Sequence, residues 1–261
     1  MMTNRPELFR NNPDPTDLIP IDDHYAQALR RLGSRVIQPY YAGPDPLAPQ
    51  RDVMPPRHIL AEMCRLAGLR GIVALRPYIH LTAAERAPGR FGPRQIAIHT
   101  SGMAAAVPFT TKEWGAGRFA DVVRELGRDF KFVQLGSPQD PPLQGAVDLR
   151  GATTPREAAA VLSASELFIG LEGFLSHLAR AVDCRSVVVM GGRAAPAIVG
   201  YGCNANLYSP VSCAPCGLRS GCPHEMKCMA AISPLQVVEA ARDLLRLPPI
   251  RPLPAETCEL P

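Results

Sequence analysis

The sequence predicts a doubly wound α/β domain on a parallel sheet, Rossmann-like in form, and three observations lead there. From residue 95 onward, short β-branched runs alternate with helical stretches. The strand runs are apolar throughout, as strands covered on both faces are. The chain is also long and apolar enough for a core without disulfides: 261 residues, 46% hydrophobic and 20% charged, which excludes disorder of the whole chain.

Gln95-Ile96-Ala97-Ile98-His99 reads as the first buried strand, followed by a loop from Thr100 to Pro108. Phe119, Val122, Val123 and Leu126 stand at i, i+3, i+4 and i+7, the apolar stripe of an amphipathic helix. Lys131 to Gly136 is the next strand, and Ala146 to Leu149 a short one. Thr154 is placed to cap an Ala-rich helix whose first position is Pro155. Glu166 to Gly170 is a strand, residues 174 to 182 a helix, Ser186 to Gly191 another strand, and Pro234 opens a last helix to about Arg246. Before residue 94 the rhythm is absent. Residues 23–32 and 57–67 look helical and 35–38 and 71–74 extended, but prolines at 39, 44, 46, 49, 55 and 56 interrupt. The expected organisation is a reduced amino-terminal region, 1–94, whose residues 82–94 form a linker, then a Rossmann-like domain, 95–250, and a Pro-rich tail, 251–261.

Charge and composition remove several function classes. Lys and Arg number 28 against 24 Asp and Glu, a net charge of +4 spread without a stripe, and aromatic residues are 6%. Neither a phosphate track nor a stacking platform for nucleic acid results. Met1 to Glu7 has no apolar leader core, and no run of 18 apolar residues occurs, so a cytoplasmic protein without a membrane span is expected.

Five of the eight cysteines lie between Cys203 and Cys228. Cys213, Cys216, Cys222 and Cys228 have the close spacing at which four thiolates converge on one zinc or iron ion; unliganded thiols are the plainer alternative. His224 is a possible substitute ligand, and Cys203 a spare. A site closed by four sulfurs holds structure and leaves no position for catalysis. Cys64 and Cys184 read as buried apolar residues, and Cys258 as exposed in the tail.

Two loops fall at the carboxyl edge of the sheet, where ligands bind in this architecture. After the strand ending at Gly170 comes Leu171-Glu172-Gly173-Phe174-Leu175-Ser176-His177. Gly173 lets a ligand approach the backbone, and the next helix presents free N–H groups to a phosphate. The plainer reading has Glu172 capping that helix and His177 in the core. The other loop ends Thr110-Thr111-Lys112-Glu113-Trp114. Thr110 and Glu113 have capping-box spacing, so the segment is either a helix start or a mount for Lys112 as a point charge facing a diphosphate.

Together these segments resemble the carboxyl-terminal half of glycosyltransferase family 9, the ADP-heptose heptosyltransferases, and most nearly their Cys-rich autotransporter-modifying branch. The strand with His99, then Lys112-Glu113-Trp114 and Phe119, looks like the family's nucleotide-diphosphate loop and Lys-x-Trp segment. Asp148-Leu149-Arg150-Gly151 is similar to its Asp-Leu-x-Gly run, and Ala164 to Gly170 to the strand preceding its sugar-nucleotide loop. Glu172-Gly173-Phe174-Leu175-Ser176-His177-Leu178-Ala179 looks like its Asp-Ser/Thr-Gly-x-x-His-x-Ala motif, with Glu in place of Asp and Gly one residue early. Cys228-Met229-Ala230-Ala231-Ile232 resembles the Cys-Met-x-x-Ile of the tail, which is iron-bound in the autotransporter branch. The resemblance spans about residues 57–246, with Arg76 to Leu81 similar to the crossing into the second domain.

The resemblance implies that 95–250 is the sugar-nucleotide-binding second domain of a GT-B fold, with a metal finger at 213–228. It implies transfer of a heptose or hexose from a nucleotide-diphosphate sugar, most nearly ADP-heptose, to an acceptor hydroxyl with inversion and without a catalytic metal. Lys112, Glu172, Gly173 and His177 would hold the donor. The family takes its general base, an Asp, from a Gly-rich loop near the amino terminus that has no counterpart here; Asp22, Asp23 and His24 are the nearest acid/base residues, and none matches the motif. The alternative is therefore a non-catalytic nucleotide-sugar-binding or scaffold module, and an intermediate case has a partner or second copy supplying the acceptor half.

Overall fold

The computed structural model describes residues 1–261. The amino-terminal region carries helix α1 (Asp23–Arg31), a hairpin of β1 (Gly43–Asp45) and β2 (Ala48–Val53), helix α2 (Ile59–Leu66), strand β3 (Gly71–Ala74) and the short helix α3 (Ala83–Arg86). Strands β4 (Gln95–Ile98), β5 (Lys131–Gln134) and β6 (Ala146–Asp148) then alternate with α4 (Ala116–Leu126) and α5 (Pro155–Ala164). Next come β7 (Leu167–Leu171), α6 (Phe174–Ala181), β8 (Ser186–Met190), α7 (Pro196–Val199) and β9 (Ala205–Tyr208). Helices α8 (Lys227–Ala230) and α9 (Pro234–Arg246) and strand β10 (Thr257–Leu260) end the chain.

Six strands form one parallel sheet in the order β6-β5-β4-β7-β8-β9, the doubly wound arrangement expected. Ile96 lies beside Phe132 and Leu167, and Ala97 beside Val133 and Phe168. Period-two alternation therefore sends Ile96, Phe132 and Leu167 to one core with α4 and α9, and Ala97, Val133 and Phe168 to the other with α5 and α6. Both faces are covered, so the apolar runs are continuous. Ser233 caps α9 in a reciprocal capping box: its hydroxyl accepts from Gln236 N–H at 3.3 Å while Gln236 Oε1 accepts from Ser233 N–H at 2.7 Å. A Ser233→Ala variant is expected to lose about 1 kcal/mol in urea unfolding; an unchanged midpoint would show the cap to be idle.

The amino-terminal region departs from expectation in places. Residues 35–38 form no strand: they are mostly exposed, no neighbouring strand takes their hydrogen bonds, and β-propensity alone does not make a sheet. The segment expected as a linker, 82–94, carries α3, whose Thr82–Glu85 capping box is anchored to α5. There Arg156 donates to Glu85 Oε1 at 2.7 Å, Glu85 Oε2 at 2.8 Å and the His80 carbonyl at 2.6 Å, and it also reaches the carbonyls of Glu7 and Arg10. One buried guanidinium thus ties two amino-terminal segments to the sheet domain. Within the Pro-rich stretch 251–261, β10 pairs antiparallel with β3, placing Cys258 opposite Val73 and burying Leu260 beside Ala61 and Leu75. Cys258 is therefore half-buried rather than exposed, and Cys184 is buried as expected, its thiol pushed up to about 12 by desolvation. No helix is long and apolar enough to cross a membrane.

Candidate functional site

A cavity of about 740 Å3 opens at the carboxyl edge of the sheet. Three strand ends and their adjoining loops wall it: His99 after β4, Gly136 and Ser137 after β5, and Leu171, Glu172 and Gly173 at and after the end of β7. Strands β4 and β7 are neighbours at which the strand order reverses, the point where loops diverge and leave a crevice. Lys112, Glu172, Gly173 and His177 all line this one cavity.

Glu172 continues β7, its N–H donating to the Val189 carbonyl at 3.2 Å, so its side chain is aimed by the sheet itself. Lys112 ends a 3-10 turn (Thr110–Lys112) and forms an ion pair with Glu172, with its ammonium 4.9 Å from the centre of the Phe109 ring. That turn is fixed on both flanks. The Thr111 hydroxyl donates to the Leu218 carbonyl at 2.6 Å, and Trp114 Nε1–H to the Ile232 carbonyl at 2.9 Å. Burial works to raise the Glu172 carboxyl, but Lys112, His177 and Arg193 outweigh it and hold it below the usual range. Glu172 is thus a pairing carboxylate and caps nothing; the residue ahead of α6 is Gly173, on which a Cβ would meet no protein atom.

His177 is likewise no satisfied core residue, since it lines the cavity from α6. Its Nδ1 is hydrogen-bonded to the Tyr201 hydroxyl at 2.8 Å, and its Nε2 lies 4.0 Å from Glu172 Oε1. Burial lowers the affinity of the ring for a proton, and nearby Lys112 lowers it further against the pull of Glu172. Glu113, at capping-box spacing from Thr110, instead accepts the Gly102 N–H at 2.8 Å and so orders the loop after β4. Helix α4 begins only at Ala116, after Gly115 at φ 99°.

Other residues enter the site without a sequence signal of their own. Asp140, in the loop after β5, is buried, and its Oδ2 accepts the Ser137 N–H at 2.9 Å and lies 3.5 Å from His99 Nε2. The turn-forming Ser137-Pro138-Gln139-Asp140-Pro141 run at the correct sheet edge is the one hint the sequence offers. Tyr41 and Arg5 of the amino-terminal region also line the cavity. Behind Phe109, Arg193 stacks at 4.4 Å from the ring centre and forms an ion pair with Asp52 of β2, to which Arg219 Nε adds a contact at 3.4 Å. Asp22, Asp23 and His24 lie in or beside α1, away from the cavity, with Asp22 accepting the Tyr25 N–H as a helix cap at 2.9 Å.

The four clustered cysteines line a second, small cavity of about 20 Å3, together with His224. No three His, Cys, Asp or Glu side chains gather closely enough there to form a metal-binding group, so the expected finger is present as a thiol-lined cavity and not as an assembled centre. The donor set nonetheless suits a thiophilic ion. All four thiols are free, and Cys228 Sγ accepts the Gly192 N–H at 3.2 Å, a bond that favours thiolate. Burial pushes the Cys216 thiol up, with the Leu218 N–H opposing and Cys228, Cys213 and Cys222 adding to the rise. A cation among these sulfurs would favour their thiolate forms against the cost of burial.

The chain shares its fold, with the six-strand parallel sheet, with solved members of glycosyltransferase family 9. A family 9 glycosyltransferase from Veillonella parvula superposes with a TM-score of 0.60 at 15% identity, covering 92% of this chain and 85% of that one. The dodecameric iron-containing heptosyltransferase TibC, in complex with ADP-D-beta-D-heptose, gives 0.58 at 18% identity over 82% of this chain and 59% of its own. E. coli ADP-heptose lps heptosyltransferase II gives 0.51 at 16% identity over 65% of this chain, which spans only 53% of that enzyme. No protein-family model matches the sequence, and no curated protein is similar to it by sequence.

Proposed function

We propose that the protein is a cytoplasmic glycosyltransferase of the family 9 kind that binds a nucleotide-diphosphate sugar, ADP-heptose or a close relative, and transfers the sugar to an acceptor hydroxyl with inversion. The observation that carries the reading is the convergence of Lys112, Glu172, Gly173 and His177 on one switch-point cavity. The ADP-heptose complex of the structurally similar TibC supports the choice of donor. Lys112 and the first N–H groups of α6 would face the diphosphate and stabilise the charge that develops on it as it leaves, with no divalent ion required. Glu172 and His177 would position ribose or sugar hydroxyls. Cys213, Cys216, Cys222 and Cys228 would hold one structural iron or zinc ion, whose role is to brace the segment against which Lys112 is bolted. The eight free thiols suit a reducing compartment.

Calorimetric titration with ADP and ADP-heptose tests this directly. Micromolar binding of about one equivalent is expected, and a folded chain that ignores both ligands would sink the reading. A second reading rests on Asp22, Asp23 and His24 lying away from the cavity: a donor-binding module whose acceptor half comes from a partner or a second copy. TibC is described as dodecameric, so a self-assembled form has a structural counterpart. Donor binding without transfer by the chain alone would select this version.

A further inference from the structure

We propose that Tyr201 is a positioning residue of the donor site: its hydroxyl donates to Nδ1 of His177 and so makes the imidazole present an N–H, from Nε2, to a ribose or sugar oxygen of the donor. The inference rests on the donor-site reading above and says how His177 serves it. The Tyr201 hydroxyl lies 2.8 Å from His177 Nδ1, has no other hydrogen-bond partner in the protein, and belongs to a residue only 3% exposed. A neutral imidazole has one donor and one acceptor nitrogen, and a phenol has one proton to give. Were Nδ1 the N–H, it would donate to the phenolic oxygen, and the phenolic proton would be buried without an acceptor, which native structures rarely tolerate. With the phenol donating, both groups are satisfied and the ring proton is on Nε2. Burial keeps the phenol protonated and the imidazole neutral, so the bond keeps this sense at neutral pH. Glu172 Oε1, 4.0 Å from Nε2, is beyond hydrogen-bonding distance and does not set the tautomer. Nε2 therefore makes no hydrogen bond within the protein, on a side chain that lines the cavity.

The amino-terminal region holds Tyr201 in place. His58, ahead of α2, accepts the Leu60 N–H on Nδ1 at 3.2 Å, so its proton is on Nε2, which donates to the Gly200 carbonyl at 2.9 Å. Both of its nitrogens are spent on backbone, and one of them fixes the residue before Tyr201. The Tyr201 carbonyl accepts from Asn206 Nδ2 and from the Asn204 N–H, each at 3.0 Å. The phenol ring lies 5.3 Å from the His58 ring and 5.7 Å, edge-on, from the His177 ring. A residue of the amino-terminal region thus reaches the donor cavity through backbone, phenol and imidazole in turn.

The tautomer decides what the cavity offers a ligand. With the proton on Nε2, His177 is a neutral donor beside the Lys112–Glu172 pair and takes an oxygen lone pair. With the proton on Nδ1, the same nitrogen would meet that oxygen lone pair to lone pair, and attraction becomes repulsion. Tyr201→Phe keeps the ring and removes the one proton that makes the choice.

The test uses the full chain, labelled with nitrogen-15, and ADP-heptose. Long-range proton–nitrogen NMR reads the tautomer of His177, whose signals are assigned by their loss in His177→Ala. Wild type is expected to carry the proton on Nε2, and Tyr201→Phe to give a mixture of tautomers, with the Kd for ADP-heptose raised about fivefold. In a His177→Ala background Tyr201→Phe is expected to cost no further affinity, because the hydroxyl acts only through the imidazole. Thermal melting checks that each variant is folded, and the wild-type spectrum needs no variant to fold beyond the one used for assignment. A wild-type His177 with its proton on Nδ1 overturns the proposal. So does Tyr201→Phe with an unchanged tautomer, or an affinity loss that persists in full without His177, since the phenol would then be packing alone. A chain whose His177 behaves as expected but which ignores ADP-heptose overturns the donor-site reading, and the role of Tyr201 in binding falls with it while the tautomer assignment stands.

Discussion

Replacing Lys112 with alanine is expected to lower affinity for ADP by more than tenfold and to destabilise the fold by about 3 kcal/mol at neutral pH, since a buried carboxylate is left without its cation. The two effects share one cause. Lys112 and Glu172 expose only 14% and 10% of their side chains, too little for water to replace the lost partner. The pH dependence separates this from a general packing defect. Glu172 sits below its ordinary value of 4.5 in the folded chain, so the pair contributes stability above that pH and loses it as the pH falls through the lower, folded value. In Lys112→Ala the burial that opposed Lys112 acts against a weaker counter-charge, and the deficit against wild type should be largest near neutrality and shrink in acid. Urea unfolding at pH 7 and pH 4, with ADP titration at pH 7, reads both; a deficit independent of pH would refute the ion-pair account, and unchanged ADP affinity would move the diphosphate elsewhere.

The second large effect is expected at the cysteines. If four thiolates hold an ion, the purified chain carries about one iron or zinc, and chelation frees four thiols to a thiol reagent while the melting midpoint drops sharply, because such sites contribute on the order of 10 kcal/mol to the folding of the segment that encloses them. Cys216→Ser should copy the stripped state. The consequence should reach the switch-point cavity, because Thr111, next to Lys112, is bonded to Leu218 and Arg219 within the same segment. A well-folded protein without metal, whose melting ignores chelator, would leave the cavity as a cluster of plain thiols.

The features legible in the sequence are those set by local interactions. The sheet is legible because Ile96, Phe168 and Val188 sit in runs buried on both faces, and such runs are visible without knowing their neighbours. Thr154 and Ser233 announce their helices because a cap is decided within four residues. Lys112, Glu172, Gly173 and His177 are found through a combination of sheet-edge position and motif resemblance. Asp140 is not, because its meeting with His99 depends on the parallel pairing of β4 with β5 and on the room left by Gly136. Asp52 escapes for a similar reason: it becomes part of the site only when β2 lies against residues 217–219, where its N–H donates to the Gly217 carbonyl at 2.8 Å. Strand β10 is hidden inside a proline-rich stretch because its partner, β3, lies in the first third of the sequence, far from it along the chain.

That last pairing also sets an order of events during synthesis. Residues 71–74 leave the ribosome early but have no strand to join until 257–260 emerge, long after the intervening sheet can have formed. Until then α2 and β3 lack Leu260, which completes the small core of Ala61 and Leu75. The amino-terminal region is therefore the part of the fold completed last, after α9 has added Val237, Val238 and Ala241 to the larger core.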